Sequence, residues 1–193
     1  MHVRLAATLS LVTLAPVAAQ APVPPPADQQ IAAAVLAMPA SLRADASVLG
    51  YGADGKLVSL RKGTGNMICL ANDPKGEQLH VSCYHNSMEP FMARGRELRA
   101  SGVTGGQVDT VRFKEVREGK LPMPKAPATL YQLFGGTFDP AKNEITGARA
   151  LYVVYIPSAT GATTGLAEKP NGTLPWIMWP GTPKAHIMFT PTM

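Results

Sequence analysis

An α+β domain is the expectation for this chain of 193 residues: a mostly antiparallel sheet built from hairpins, with two helices packed on one face. Three observations carry it. Two turn signals separate strand-forming runs early in the chain. Helical periodicity is confined to the middle. Strand-forming runs then return at the end. The length suits one domain, and 18 Gly and 18 Pro predict short elements. Apolar residues at 46% and charged residues at 16% give a globular balance.

Residues 1–19 read as a signal peptide. His2 and Arg4 precede the apolar run LAATLSLVTLAPVAA, and Val17 and Ala19 fit the small-residue pattern before a cut at Gln20. The run is shorter than the roughly 20 residues of a membrane span, no cysteine near the cut suggests a lipid anchor, and no second run is long enough to span. A periplasmic or secreted location follows, with no transmembrane span after cleavage. Residues 20–29 form a Pro-rich linker, and 30–193 a single globular domain. In the linker-proximal segment QQIAAAVLAMPASLRADA a short helix is expected, capped by Asp28 and ended or kinked at Pro39.

SVLGYGADGKLVSLRKG is a hairpin whose turn is Ala53-Asp54-Gly55. NMICLANDPKGEQLHVSCYH is a second, centred on Gly76. That register sets Cys69 opposite Cys83, Ile68 opposite Tyr84 and Met67 opposite His85. In an exported chain the two cysteines read as a disulfide. NSMEPFMARGRELRASG is the clearest helix, with Ser87 as N-cap, Met88, Phe91, Met92 and Leu98 on one face, and Gly95 marking close approach of another element. A weaker helix ends at Gly119. Thr129 to Phe134 is a strand, TFDPAKNEITG a loop and turn, and ARALYVVYIP the strongest strand, expected in mid-sheet. SATGATTGLAEKPNGTLP is a long loop with an Asn171-Gly172 turn, and KAHIMFTP a last strand ended by Pro191. Alternation there places Ala185, Ile187 and Phe189 toward the core and His186 on the other side. Trp176 and Trp179 are both expected inside, because aromatic residues make up only 6% of the chain.

Four segments together resemble a group of uncharacterised secreted bacterial proteins: SVLGYGADGKLVSLRKGTGN, the Cys69–Cys83 pair, NSME at 86–89, and the tail WIMWPGTPKAHIM. Members of that group end in Trp-Pro-Gly-Thr-Pro followed by His and Met. The resemblance covers residues 46–190. It implies export and one domain, and it supplies no catalytic residues because no activity is established for the group.

The formal charge of +5 is scattered. The densest basic group, Arg94, Arg96 and Arg99 with Glu89 and Glu97, reads as a solvated helix face, so nucleic acid is not an expected partner. The leading expectation is a non-enzymatic envelope or extracellular binding or accessory protein, without a cofactor. A second is a soft-metal protein in which His85, Met88 and Met92 hold copper through imidazole and thioether ligands, with Met67 as a further thioether. Methionine also fills irregular cores, which is the plainer use of that helix face. A third is a small hydrolase or lyase using Glu89 and His186 as acid and base. No nucleophile elbow, Ser-x-x-Lys or zinc motif occurs.

Overall fold

The computed structural model describes residues 23–191. The segment expected to be a signal peptide, and residues 20–22 of the expected linker, therefore lie outside the described residues. Helix α1 (Ala27–Val35) follows Pro25-Pro26 directly, so the linker ends earlier than residue 29. Pro26 occupies the N-cap position with its fixed φ, and Asp28 sits in the first turn without capping it. Pro39 breaks the helix as expected, and α2 (Ala40–Arg43) is a single turn after it.

The hairpins follow in order. β1 (Ser47–Tyr51) and β2 (Leu57–Arg61) pair antiparallel across Gly52 to Lys56, where Gly55 has φ +71°. β3 (Met67–Leu70) and β4 (His80–His85) pair with Cys69 opposite Cys83, Ile68 opposite Tyr84 and Met67 opposite His85. A disulfide joins the two cysteines. β1 lies parallel to β3, the one parallel pairing of the large sheet. A 3-10 turn (Asn86–Met88) leads into α3 (Glu89–Ala100), and α4 (Gln107–Arg117) packs beside it. Ser87 is not the cap. The His85 side chain accepts the Ser87 backbone N–H instead and starts the turn.

β5 (Ala128–Phe134) and β8 (Arg149–Tyr155) form the longest ladder, seven paired residues, and β8 sits between β5 and β10 as its apolar run predicts. In TFDPAKNEITG the expected turn is flanked by two short strands. The segment makes a separate hairpin of β6 (Thr137–Asp139) and β7 (Glu144–Thr146), in which the Asp139 carboxylate accepts the Ala141 N–H and Asn143 takes a positive φ. The long loop after β8 contains a one-turn helix, α5 (Gly161–Thr164), closed by a Thr160/Thr163 capping box. β9 (Trp176–Met178) and β10 (His186–Phe189) complete an eight-stranded sheet ordered β2-β1-β3-β4-β5-β8-β10-β9.

The two faces of this sheet are covered differently. On one, α1 packs over a cluster of small and sulfur-bearing side chains that includes Ala34, Met38, Val48, Met67, Val81 and the disulfide. Gln30, buried in this face, extends the sheet with its amide: it donates to the Tyr51 carbonyl at 2.9 Å and accepts the Tyr51 N–H at 2.8 Å. On the other face Phe91 of α3 and Phe113 of α4, with Met88 of the 3-10 turn and Leu121 after α4, cover Tyr84, Leu130, Val153 and Tyr155. The two expected helices thus share one face, and α1 seals the opposite one. No helix of the described residues is long and apolar enough to cross a membrane.

Candidate functional site

Alternation along β4 and β5 points His80, Ser82 and Tyr84, with Leu130 and Gln132, toward the α3/α4 face. The helices cover the Tyr84 end of this floor. Beyond it the floor turns polar and stays open, forming a cleft of about 320 Å³. Its wall on α3 is Phe91, Met92, Arg96 and Arg99, residues that recur at helical spacing on one side. Arg112 from α4, Tyr155 from β8 and Lys184 from the β9–β10 connection close it. Four cations line the cleft and no carboxylate does.

Two carboxylates behind the lining hold three of these cations. Glu89 accepts from Arg96 at 2.6 Å and from the Tyr84 hydroxyl at 2.5 Å, while Arg96 also donates to that hydroxyl at 2.9 Å. Burial pushes the Tyr84 phenol well above its ordinary range, aided by its bond to Glu89. Burial works against the charge of Arg96, yet Tyr84 and Glu89 raise it above its ordinary value. Asp109 bridges Arg112 and Lys184, with its second oxygen 2.8 Å from the lysine. Burial opposes the Asp109 charge, and the hydrogen bonds from Lys184 and Arg112 overcome it, leaving its carboxyl below the usual range.

Arg112 is the most buried charged side chain among the described residues, 5% exposed. Its guanidinium lies 3.8 Å over the Phe91 ring and donates to the Phe91 carbonyl at 3.0 Å. Gly95 makes this possible, since a Cβ there would stand 2.8 Å from the guanidinium. The close approach expected at that glycine is therefore made by a side chain of α4. Burial lowers the Arg112 pKa, and its Nε has no partner. Arg99 is exposed and joins no ion pair among the described residues, so its charge faces the cleft uncompensated. A bidentate Arg94–Glu115 contact, with bonds of 2.9 and 2.6 Å, ties α3 to α4 and fixes the wall. The basic stretch of α3 is thus divided: Arg94 staples two helices and Arg96 and Arg99 line the cleft, rather than all three forming a solvated face.

The residues singled out from sequence are placed as follows. Met88 is fully buried among Tyr84, Phe91 and their neighbours, Met92 packs against the same cluster and lines the cleft, and Met67 belongs to the cluster on the opposite face. The His85 Nδ1 is 2.8 Å from Ser87 Oγ. Among the described residues no group of three or more His, Cys, Asp or Glu side chains is placed to hold a metal ion. Glu89 and His186 are on the same side of the sheet, but no hydrogen bond joins them: Glu89 is engaged as above, and His186 Nδ1 sits 2.6 Å from the Lys184 carbonyl. His186 is buried on the side opposite Ala185. The register opposes it to Tyr155 and Met188 to Val153, so that side packs on the α3/α4 cluster, while on the other side Ala185 is fully buried as expected, Ile187 is partly buried opposite Ile177, and Phe189 is exposed. Burial depresses the His186 pKa, partly offset by the Lys184 carbonyl.

The tryptophans are also a correction. Ile177 takes the buried position in β9, Trp176 is half-buried and Trp179 is 47% exposed. A larger cavity, about 760 Å³, lies elsewhere, between Phe134, Ala148 to Leu151 and Met188. It holds one charged group, Arg149, and Pro191 at the limit of the described residues forms part of its wall. Convergent polar groups distinguish the basic cleft from it. Two signals in the sequence point to the cleft: polar residues at every second position, His80 and Ser82, and the Met92, Arg96, Arg99 spacing. No family model, curated protein or solved structure matches the chain.

Proposed function

We propose that this is an exported binding protein whose basic cleft takes a small anionic ligand carrying a phosphate or carboxylate group. The observation that carries the reading is the convergence of Arg96, Arg99, Arg112 and Lys184 on one cleft without a carboxylate in its lining. Guanidinium groups match such anions with paired donors. Glu89 and Asp109 orient three of the cations from behind, so little ordering is left for the moment of binding. The volume fits a small molecule. Export is supported by the leader pattern of residues 1–19 and by the disulfide. Binding is favoured over turnover because Glu89 and His186 are each engaged elsewhere.

Calorimetric titration with inorganic phosphate at low ionic strength tests this. One-to-one binding that weakens with salt is expected, with at least a tenfold loss in Arg99→Glu and no change in Arg149→Glu at the larger cavity. Absence of binding, or equal binding by wild type and Arg99→Glu, contradicts the reading.

A further inference from the structure

We infer that the ligand's anionic group is joined to a planar aromatic ring, which stacks on Trp179 at the mouth of the cleft; this rests on the anion-binding reading above. Trp179 connects to the cleft through Lys184. The lysine lines the cleft, and its ammonium lies 5.3 Å from the Trp179 ring centroid. The same ammonium reaches Asp109, which holds Arg112. Indole, ammonium and buried guanidinium therefore form one connected series from rim to interior.

Trp179 has the features of a residue held for contact rather than packing. Its surface is 47% exposed in a chain with two tryptophans. Its φ is +58°, a left-handed conformation that is an outlier for a bulky side chain. The surrounding turn holds it there. Its carbonyl accepts from both the Thr182 N–H and the Thr182 hydroxyl, at 3.2 and 2.8 Å. The turn is tied back to the β8–α5 segment by Gly181 N–H to the Ala159 carbonyl and Ser158 N–H to the Thr182 carbonyl, at 2.8 and 2.9 Å. A fixed, half-open indole beside a cation is a stacking surface for a ring that carries a negative group. A flat ring gains the most contact on it, because an offset stack needs no adjustment by either partner.

Three phosphate monoesters test the inference: methyl phosphate, phenyl phosphate and glucose 1-phosphate, titrated against wild type, Trp179→Ala and Trp179→Phe. Phenyl phosphate is expected to bind wild type at least tenfold tighter than methyl phosphate. That ratio should fall to near one in Trp179→Ala, with methyl phosphate unaffected, and partly return in Trp179→Phe. Should the alanine variant fail to fold, the single-tryptophan variant Trp176→Phe gives an independent readout: phenyl phosphate should quench Trp179 emission and methyl phosphate should not. Equal binding of the methyl and phenyl esters, a ratio unchanged in Trp179→Ala, or preference for glucose 1-phosphate over phenyl phosphate overturns the inference and leaves the anion site standing. Failure of all three esters to bind overturns both.

Discussion

The two faces of the sheet solve the same problem, covering apolar strands, in different ways. The α1 face is closed with alanines, methionines and a disulfide, and its one buried polar side chain, Gln30, has its amide nitrogen and oxygen both bonded. The α3/α4 face is closed with larger side chains and leaves a gap, into whose walls the fold has placed arginines at a cost in desolvation. The Arg112 guanidinium is desolvated and leaves one nitrogen without a partner, a cost that the apolar packing of the first face does not carry. The contrast teaches that both faces pack the sheet, and that the second combines its packing with a cluster of charged side chains, where the proposed anion site lies.

If so, damage to the first face should lower stability and spare anion binding. Replacing both Cys69 and Cys83 by Ala removes a cross-link with a sequence separation of 14 from the α1 face. A loss of about 3 kcal/mol is expected in denaturant unfolding, with phosphate affinity of the folded protein unchanged. Asp109→Ala should damage both properties at once. It strands Arg112 and frees Lys184, for a loss of roughly 2 kcal/mol, below that of a fully buried pair because Asp109 is 18% exposed. The depressed Asp109 pKa also sets a sign. Its contribution is complete above the ordinary aspartate pKa and is lost as pH falls through the lower folded value, so the acid limb of the stability profile should be shallower in Asp109→Asn.

Met88→Leu sharpens the comparison from within the second face. As a core residue it should cost about 1 kcal/mol and leave Cu(I) affinity where it was, whereas a thioether ligand would lose the metal. The smallest expected effect belongs to His186. Its folded pKa is depressed, so the unfolded chain takes up the proton first as pH falls below about 6.5. Stability should therefore decline through mildly acid pH until the folded value is passed, and His186→Gln should flatten that decline in thermal melts.

Local signals were reliable where the element decides its own geometry. Gly76 and two cysteines in register were enough to place the disulfide, because strand pairing has a strict period of two. The run Leu151 to Ile156 was enough to place β8 in mid-sheet. The expectation for the tryptophans failed because it argued from composition, while Ile177 and the left-handed turn at Trp179 decided the matter locally. For β10, alternation separated Ala185 from His186 but could not say that both sides are covered, because apolar residues stand on both. The cleft was hardest to see. Its floor, its two helical walls and Lys184 come from separated segments, and only the crossing of α3 over β4 and β5 brings them together. What was legible was each component, such as the Arg96 and Arg99 spacing, without the partner that gives it meaning.

Chemical-shift mapping of the backbone amides during a methyl phosphate titration tests the central claim most directly. Saturable shifts confined to the cleft are expected: His80 to Tyr84, Met92 to Arg99, Arg112, Leu130 to Gln132 and Lys184. Shifts centred on Phe134, Arg149 and Met188, or spread over the surface without saturation, would contradict it.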